Sequence, residues 1–123
     1  TFATRTVDFD KPETLSEAFK GVDRVLIIST DALAVPGLRL KQHTAAIEAA
    51  KAAGVEHIVY TSLPNPEPGN KISFAPDHYG TEQALKASGI RAGQLDGVTE
   101  AVKTLTGTAP KTVHDVLSVA LKA

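Results

Sequence analysis

An α/β fold built on a parallel sheet is what this sequence predicts, and three observations carry the prediction. Two short apolar runs, Val25 to Ile28 and Ile58 to Tyr60, are too short for helices and apolar at every position, as strands covered above and below are. Each ends in hydroxyls, Ser29-Thr30 after the first and Thr61-Ser62 after the second. Between them an alanine-rich helical stretch, Leu38 to Ala53, completes a strand, helix, strand unit of the length that a right-handed parallel crossover requires.

Taken in order, Thr1 to Phe9 mixes Phe2, Val7 and Phe9 with Thr4, Arg5 and Thr6, a composition that predicts an exposed or edge strand. Asp8 and Asp10 flank Phe9 where it ends. Pro12 suits the first turn of a helix, where its missing amide hydrogen would have no partner, and Leu15, Ala18 and Phe19 share one face before Gly21 stops it. After the first buried strand, Ala32 to Gly37 reads as a loop turning at Pro36-Gly37. The helix from Leu38 shows a stripe of Leu40, Thr44, Ile47 and Ala50 to Lys51, and its alanines allow close packing on a sheet. Gly54 ends it, and the second buried strand follows.

Pro64-Asn65-Pro66-Glu67-Pro68-Gly69-Asn70 is an irregular surface loop by composition. Pro76 and Asp77 start a helix that runs to Gly89 and sets His78 and Glu82, four apart, on one face. From Arg91 the character changes. Val98 to Leu105, and then Val113 to Leu121 behind a Thr112 and Asp115 capping pair, read as packing helices. Residues 1–90 therefore form one unit and 91–123 a C-terminal helical segment.

The 123 residues suffice for one core, and the formal charge of −1 with well-mixed signs gives no basic surface for nucleic acid or membrane. The lack of cysteine removes disulfides, thiolate metal sites and a cysteine nucleophile, and a cytoplasmic location fits. No apolar run reaches the roughly 20 residues that a spanning helix needs. His43, His57, His78 and His114 lie on different elements without tight ligand spacing, so no metal site is expected. Ser29 and Ser62 lack the glycine-flanked elbow of a serine hydrolase. The remaining candidate is a nucleotide site at the strand ends, since ligands of open parallel sheets lie beyond the carboxyl ends of the strands. Polar turns favour the same residue types for capping, so the pattern alone leaves both readings open.

Four blocks then carry a resemblance: Asp8 to Leu15 (DFDKPETL), Gly21 to Ser29 (GVDRVLIIS), Ala49 to Leu63 (AAKAAGVEHIVYTSL) and His78 to Ile90 (HYGTEQALKASGI). Together they resemble the NmrA-like atypical short-chain dehydrogenases, in particular their quinone-reductase and triphenylmethane-reductase branches. The resemblance implies a partial Rossmann fold, that is, a doubly wound parallel sheet lacking its first βαβ unit, followed by C-terminal helices. It implies NADPH or NADH as cofactor and a small-molecule electron acceptor as partner, and it is compatible with a homodimer. On it, Asp8 and Phe9 flank adenine, Ser29 and Thr30 lie along the dinucleotide, and Tyr60, Thr61 and Ser62 lie near the nicotinamide. His78 stands where relatives bear a catalytic lysine, which makes it the candidate catalytic residue with Glu82 orienting it. Tyr79 and Gln83 match a Tyr-x-x-x-Lys pair only superficially.

The departures matter equally. The family's glycine-rich first turn, whose amides cradle pyrophosphate, has no counterpart here, and after Ile90 the sequence Arg-Ala-Gly-Gln-Leu-Asp resembles the family's last segment. The expectation is a member with its front and middle outside these residues. Three functions compete: hydride transfer to a quinone or similar conjugated acceptor, dinucleotide sensing without turnover, and an inactive fragment.

Overall fold

The computed structural model describes residues 3–94. Its elements run α1 (Pro12–Phe19), β1 (Arg24–Ile27), α2 (Leu38–Ala52), β2 (His57–Tyr60), α3 (Ala75–Ser88) and β3 (Arg91–Gln94). The strands form one parallel sheet in the order β1-β2-β3, with Val25 beside Ile58 and Ile27 beside Tyr60. The two apolar runs are thus neighbours pointing the same way, as their composition requires.

Why α2 ends where it does is visible in its backbone. Gly54 adopts φ 78°, a left-handed conformation that costs glycine little, and this lets Val55 N–H reach the Ala50 carbonyl at 3.0 Å while Gly54 N–H reaches that of Lys51 at 3.1 Å. The chain turns directly into β2. One core results, built from Leu15 of α1, Ala46, Ile47 and Ala50 of α2, Leu85 of α3, and Ile27, Ile58 and Tyr60 of the sheet. At Gly80 a Cβ would come within 2.8 Å of a Leu40 methyl, so α2 and α3 approach closely because no side chain stands there.

Only the helix-facing side of the strands is covered in this way. Leu26 and Ile28, which alternate with Ile27, remain 56% and 65% exposed. The expectation of burial on both faces is met on one.

Three further expectations are corrected. Residues 3–8 form no strand despite their composition. Among the described residues no strand lies on the outer edge of β1, and Arg5 donates from Nη1 to the carbonyls of Ala18 at 2.7 Å and Lys20 at 2.9 Å, tying the segment to the end of α1. The inward face of α2 is Arg39, Gln42, His43, Ala46, Ile47, Ala49 and Ala50, so Ile47 and Ala50 of the expected stripe are buried while Leu40, Thr44 and Lys51 are not. Thirdly, Arg91–Gln94 adds a strand beside β2, with Ile58 paired to Ala92, so the sheet continues past the boundary drawn at residue 90. The helices expected at 98–105 and 113–121 lie outside the described residues. No helix among the described residues is long and apolar enough to cross a membrane.

Candidate functional site

The C-terminal ends of β1 and β2 meet in a hydroxyl-bearing ridge. Ser29 N–H donates to Thr61 Oγ1 at 2.8 Å, Thr61 Oγ1 lies 3.4 Å from Ser29 Oγ, and Thr61 N–H donates to the Ile27 carbonyl at 3.1 Å. Parallel pairing with Ile27 beside Tyr60 carries the next residues of both strands out together, so the register itself creates the ridge. Ser62 donates its hydroxyl to the Glu82 carboxylate. Ser29, Thr30, Thr61 and Ser62 are all half-buried, open on the side away from the helices' core.

Thr30 is fixed from below by successive residues of α2. Its N–H donates to His43 Nε2 at 3.0 Å, and its hydroxyl to Gln42 Oε1 at 2.7 Å. Because Nε2 accepts, the neutral His43 ring carries its proton on Nδ1, which donates to Thr81 Oγ1 at 2.9 Å; Thr81 in turn donates to the Asp77 carbonyl at 2.7 Å. His43 is fully buried. Burial, reinforced by the Arg39 charge and by His78, pulls its pKa down to about 4.

Tyr60 and His78 complete this buried layer. Tyr60 is 2% exposed, pointing away from solvent beneath the helices, and its hydroxyl lies 2.8 Å from His78 Nδ1 and 3.4 Å from His43 Nδ1. Arg39 can only donate, so its Nη1, 3.2 Å from His78 Nε2, assigns the proton of His78 to Nδ1 and makes Tyr60 the acceptor. The Arg39 guanidinium also stacks over Phe74, 5.3 Å from the ring centre, and its Nε has no partner among the described residues. Burial and then Arg39 lower the His78 pKa against the opposing pull of Asp77 and Glu82. Burial pushes the Tyr60 hydroxyl up to about 12.

The sequence-predicted site residues thus separate into groups. Ser29, Thr30, Thr61 and Ser62 come together on the ridge. Tyr60 and His78 lie under it, with both nitrogens of His78 engaged. Glu82 pairs with Ser62 rather than with His78. Asp8 lies in the turn before α1, where Oδ1 accepts Asp10 N–H at 3.0 Å and Oδ2 meets Lys11 Nζ at 3.3 Å. Those contacts, the Asp10 amide first, hold its carboxyl below the usual range. Phe9 packs half-buried against the core. Gln42 and His43 were not singled out for this ridge, although polar residues one helical turn before Ala46 and Ile47 signal an inward polar position.

Among the described residues no three His, Cys, Asp or Glu side chains gather as a metal site needs. The proline-rich loop and the start of α3 enclose a shallow cavity of about 280 Å³ lined by Pro66, Pro68, Asn70, Ala75, Pro76 and Tyr79. The loop that lines the cavity leaves the carboxyl end of β2 directly after Thr61 and Ser62 of the ridge.

The residues present fit one part of a nicotinamide dinucleotide. The Ser29 hydroxyl hydrogen has no acceptor among the described residues, and it sits with Thr61 and Ser62 where ribose hydroxyls or a carboxamide could pair with it. They do not fit the pyrophosphate, because no glycine-rich turn at a helix start occurs among them.

With that geometry in hand, comparison with known proteins is informative. The family model described as NmrA-like matches residues 5–93. An NmrA-like family domain-containing oxidoreductase, FlvB, of Aspergillus flavus is 39% identical over 89 residues, covering 70% of this chain and 29% of that protein. Quinone oxidoreductase 2 of Escherichia coli is 40% identical over 86 residues, again covering 70% and 29%. Among solved structures, Citrobacter sp. triphenylmethane reductase complexed with NADP(H) superposes with a TM-score of 0.70 at 33% identity, over 84% of this chain and 38% of that one. The Escherichia coli quinone oxidoreductase complexed with NADPH gives 0.67 at 35% identity, over 84% and 35%. The chain spans under a third of the length of the curated relatives it matches. Its three parallel strands and their helices are a part of the Rossmann-like fold of these structures.

Proposed function

The chain belongs to the NmrA-like family, and from that premise we propose that it serves an oxidoreductase that transfers hydride from NADPH or NADH to a quinone or similar conjugated acceptor. In this reading the chain supplies the strand-end half of the dinucleotide site. One observation carries it: Ser29 and Thr61 are joined at 2.8 Å at the carboxyl ends of adjacent parallel strands, the place where such sheets bind ligands. Ser29, Thr30, Thr61 and Ser62 would hold the nicotinamide ribose and carboxamide. The dinucleotide supplies the hydride, and the protein supplies orientation. Tyr60 supports the ridge from beneath. Asp8 and Phe9, at the turn before α1, would border the adenine portion. The cavity between the proline-rich loop and Tyr79 is wide enough for a small flat acceptor and apolar enough to favour one. His78 could handle a proton for the acceptor only by first releasing Tyr60 or Arg39.

That last point supports a second reading, dinucleotide sensing without turnover, because neither nitrogen of His78 is available as the residues stand. The deciding experiment adds NADPH and a quinone to the full-length protein and follows loss of nicotinamide absorbance. Steady turnover supports hydride transfer. Dinucleotide binding by calorimetry with no turnover supports sensing, and no binding at all ends both.

A further inference from the structure

We propose that Gln42 is a positioning residue for the dinucleotide, its side-chain amide fastening the tip of β1 to the turn before α1. The inference rests on the dinucleotide reading above and adds to it the part that sets the two candidate binding surfaces relative to each other.

Gln42 is 7% exposed and uses both ends of its amide. Oε1 accepts the Thr30 hydroxyl at 2.7 Å, and Nε2 donates to Asp10 Oδ1 at 2.8 Å. The assignment of oxygen and nitrogen follows from Asp10, whose carboxylate can only accept. No other side chain of this shape both accepts and donates, so a glutamine is the residue that this pair of partners requires.

The placement gives the bond its reach. Asp10 follows Asp8 and Phe9 in a turn whose other hydrogen bonds stay local or run to α1: Asp8 N–H to Thr14 Oγ1 at 2.9 Å, Lys11 N–H to the Asp8 carbonyl at 2.9 Å, and the Asp8–Lys11 ion pair. That turn would otherwise move with α1. Thr30 is held by His43 through its N–H, and His43 is anchored on α3 through Thr81. The Gln42 amide therefore joins a strand tip that is locked to α2 and α3 with a turn that belongs to α1. If adenine lies at Phe9 and the ribose at Ser29 and Thr30, this amide adds a directed hydrogen-bonded link between their supports to the packing of Phe9 and Leu15 on the common core.

The test uses the full-length protein and measures NADPH binding by calorimetry with steady-state kinetics alongside. Gln42→Glu keeps the bond from Thr30 but sets a second carboxylate against Asp10. At about pH 8 it should weaken NADPH binding about tenfold and raise KM for NADPH, with kcat at saturating NADPH nearly unchanged. Towards about pH 5.5, where two facing carboxyl groups share a proton, the weakening should shrink. The double variant Asp10→Asn with Gln42→Glu exchanges donor and acceptor and should restore binding at about pH 8. A merely structural role would lower the melting temperature of Gln42→Glu while leaving NADPH binding by the folded variant unchanged. Gln42→Met drops both bonds without adding charge and covers the case in which Gln42→Glu does not fold; its NADPH binding should also weaken. Wild-type binding by both Gln42 variants, or failure of the double variant to restore it, overturns the proposal. A wild-type protein that binds no dinucleotide overturns the underlying reading as well.

Discussion

The helix-covered face of the sheet buries polar side chains beside its apolar core, whereas the opposite face leaves apolar ones open. Beneath the sheet, where α2 and α3 pack, lie His43, His78, Thr81, Arg39 and Gln42, all buried; above it, Leu26 and Ile28 stand open at 56% and 65%. The polar groups tolerate the interior because nearly all find partners, imidazole to amide, imidazole to hydroxyl and hydroxyl to carbonyl, with Arg39 Nε the exception in this layer. Apolar groups on the other face have no cover among the described residues. The stability of the described unit therefore depends on the apolar core and the hydrogen-bonded layer of the helix-covered side and hardly at all on the side chains of the other.

The largest effect that would break this contrast comes from His43→Leu. It leaves the Thr30 amide and the Thr81 hydroxyl without their buried partner, and the expected loss is about 4 kcal/mol, read by urea denaturation. Acid should act on the same residue. His43 has a folded pKa of about 4 against 6.5 unfolded, so between those values the unfolded chain takes up a proton that the folded chain refuses. Stability is full above about pH 6.5 and falls as pH drops toward 4, by about 3 kcal/mol from this group, with His78 adding in the same direction. Denaturation midpoints across that range check it, and in His43→Leu the acid loss should be much smaller. Thr81→Val preserves shape but removes the hydroxyl between His43 and the Asp77 carbonyl, for an expected cost of about 2 kcal/mol by the same measurement. On the opposite face, Ile28→Thr in this chain should change stability by less than about 0.5 kcal/mol. A cost of several kcal/mol there would mean that the face is covered after all.

The same contrast explains what could be read from the sequence. Val25 to Ile28 and Ile58 to Tyr60 announced adjacent parallel strands because apolar, β-branched runs of that length have few other uses, and Gly54 marked the turn between α2 and β2 by its conformational freedom. The side-by-side tips followed from those two facts. What escaped was decided by neighbours. Arg91-Ala92-Gly93-Gln94 has no strand-like pattern and becomes a strand because β2 offers it an edge. Residues 3–8 have the pattern and no partner. On α2, a search for apolar periodicity chose Leu40 and Thr44, whereas the buried stripe begins with Arg39, Gln42 and His43, residues that only a hydrogen-bonded interior would admit. Tyr60 is expected near the nicotinamide with Thr61 and Ser62; as a strand residue alternating with Val59 it turns its side chain to the core with Ile58.

Arg39 has a consequence for how protons move through this molecule. A guanidinium held 5% exposed, touching His78 and close to His43, gives the space under the sheet a standing positive potential. Burial first, and that potential second, keep both imidazoles from taking up a proton, whereas the phenol between them keeps its hydrogen well past neutrality chiefly through burial, against the pull of Arg39. His43, at about 4, and the Tyr60 hydroxyl, at about 12, keep their protonation states across the physiological range. On the proposed hydride transfer at the strand ends, the accompanying proton is expected from bulk water rather than from this layer, and the pH-rate profile should report the acceptor and the solvent-facing groups rather than the buried histidines.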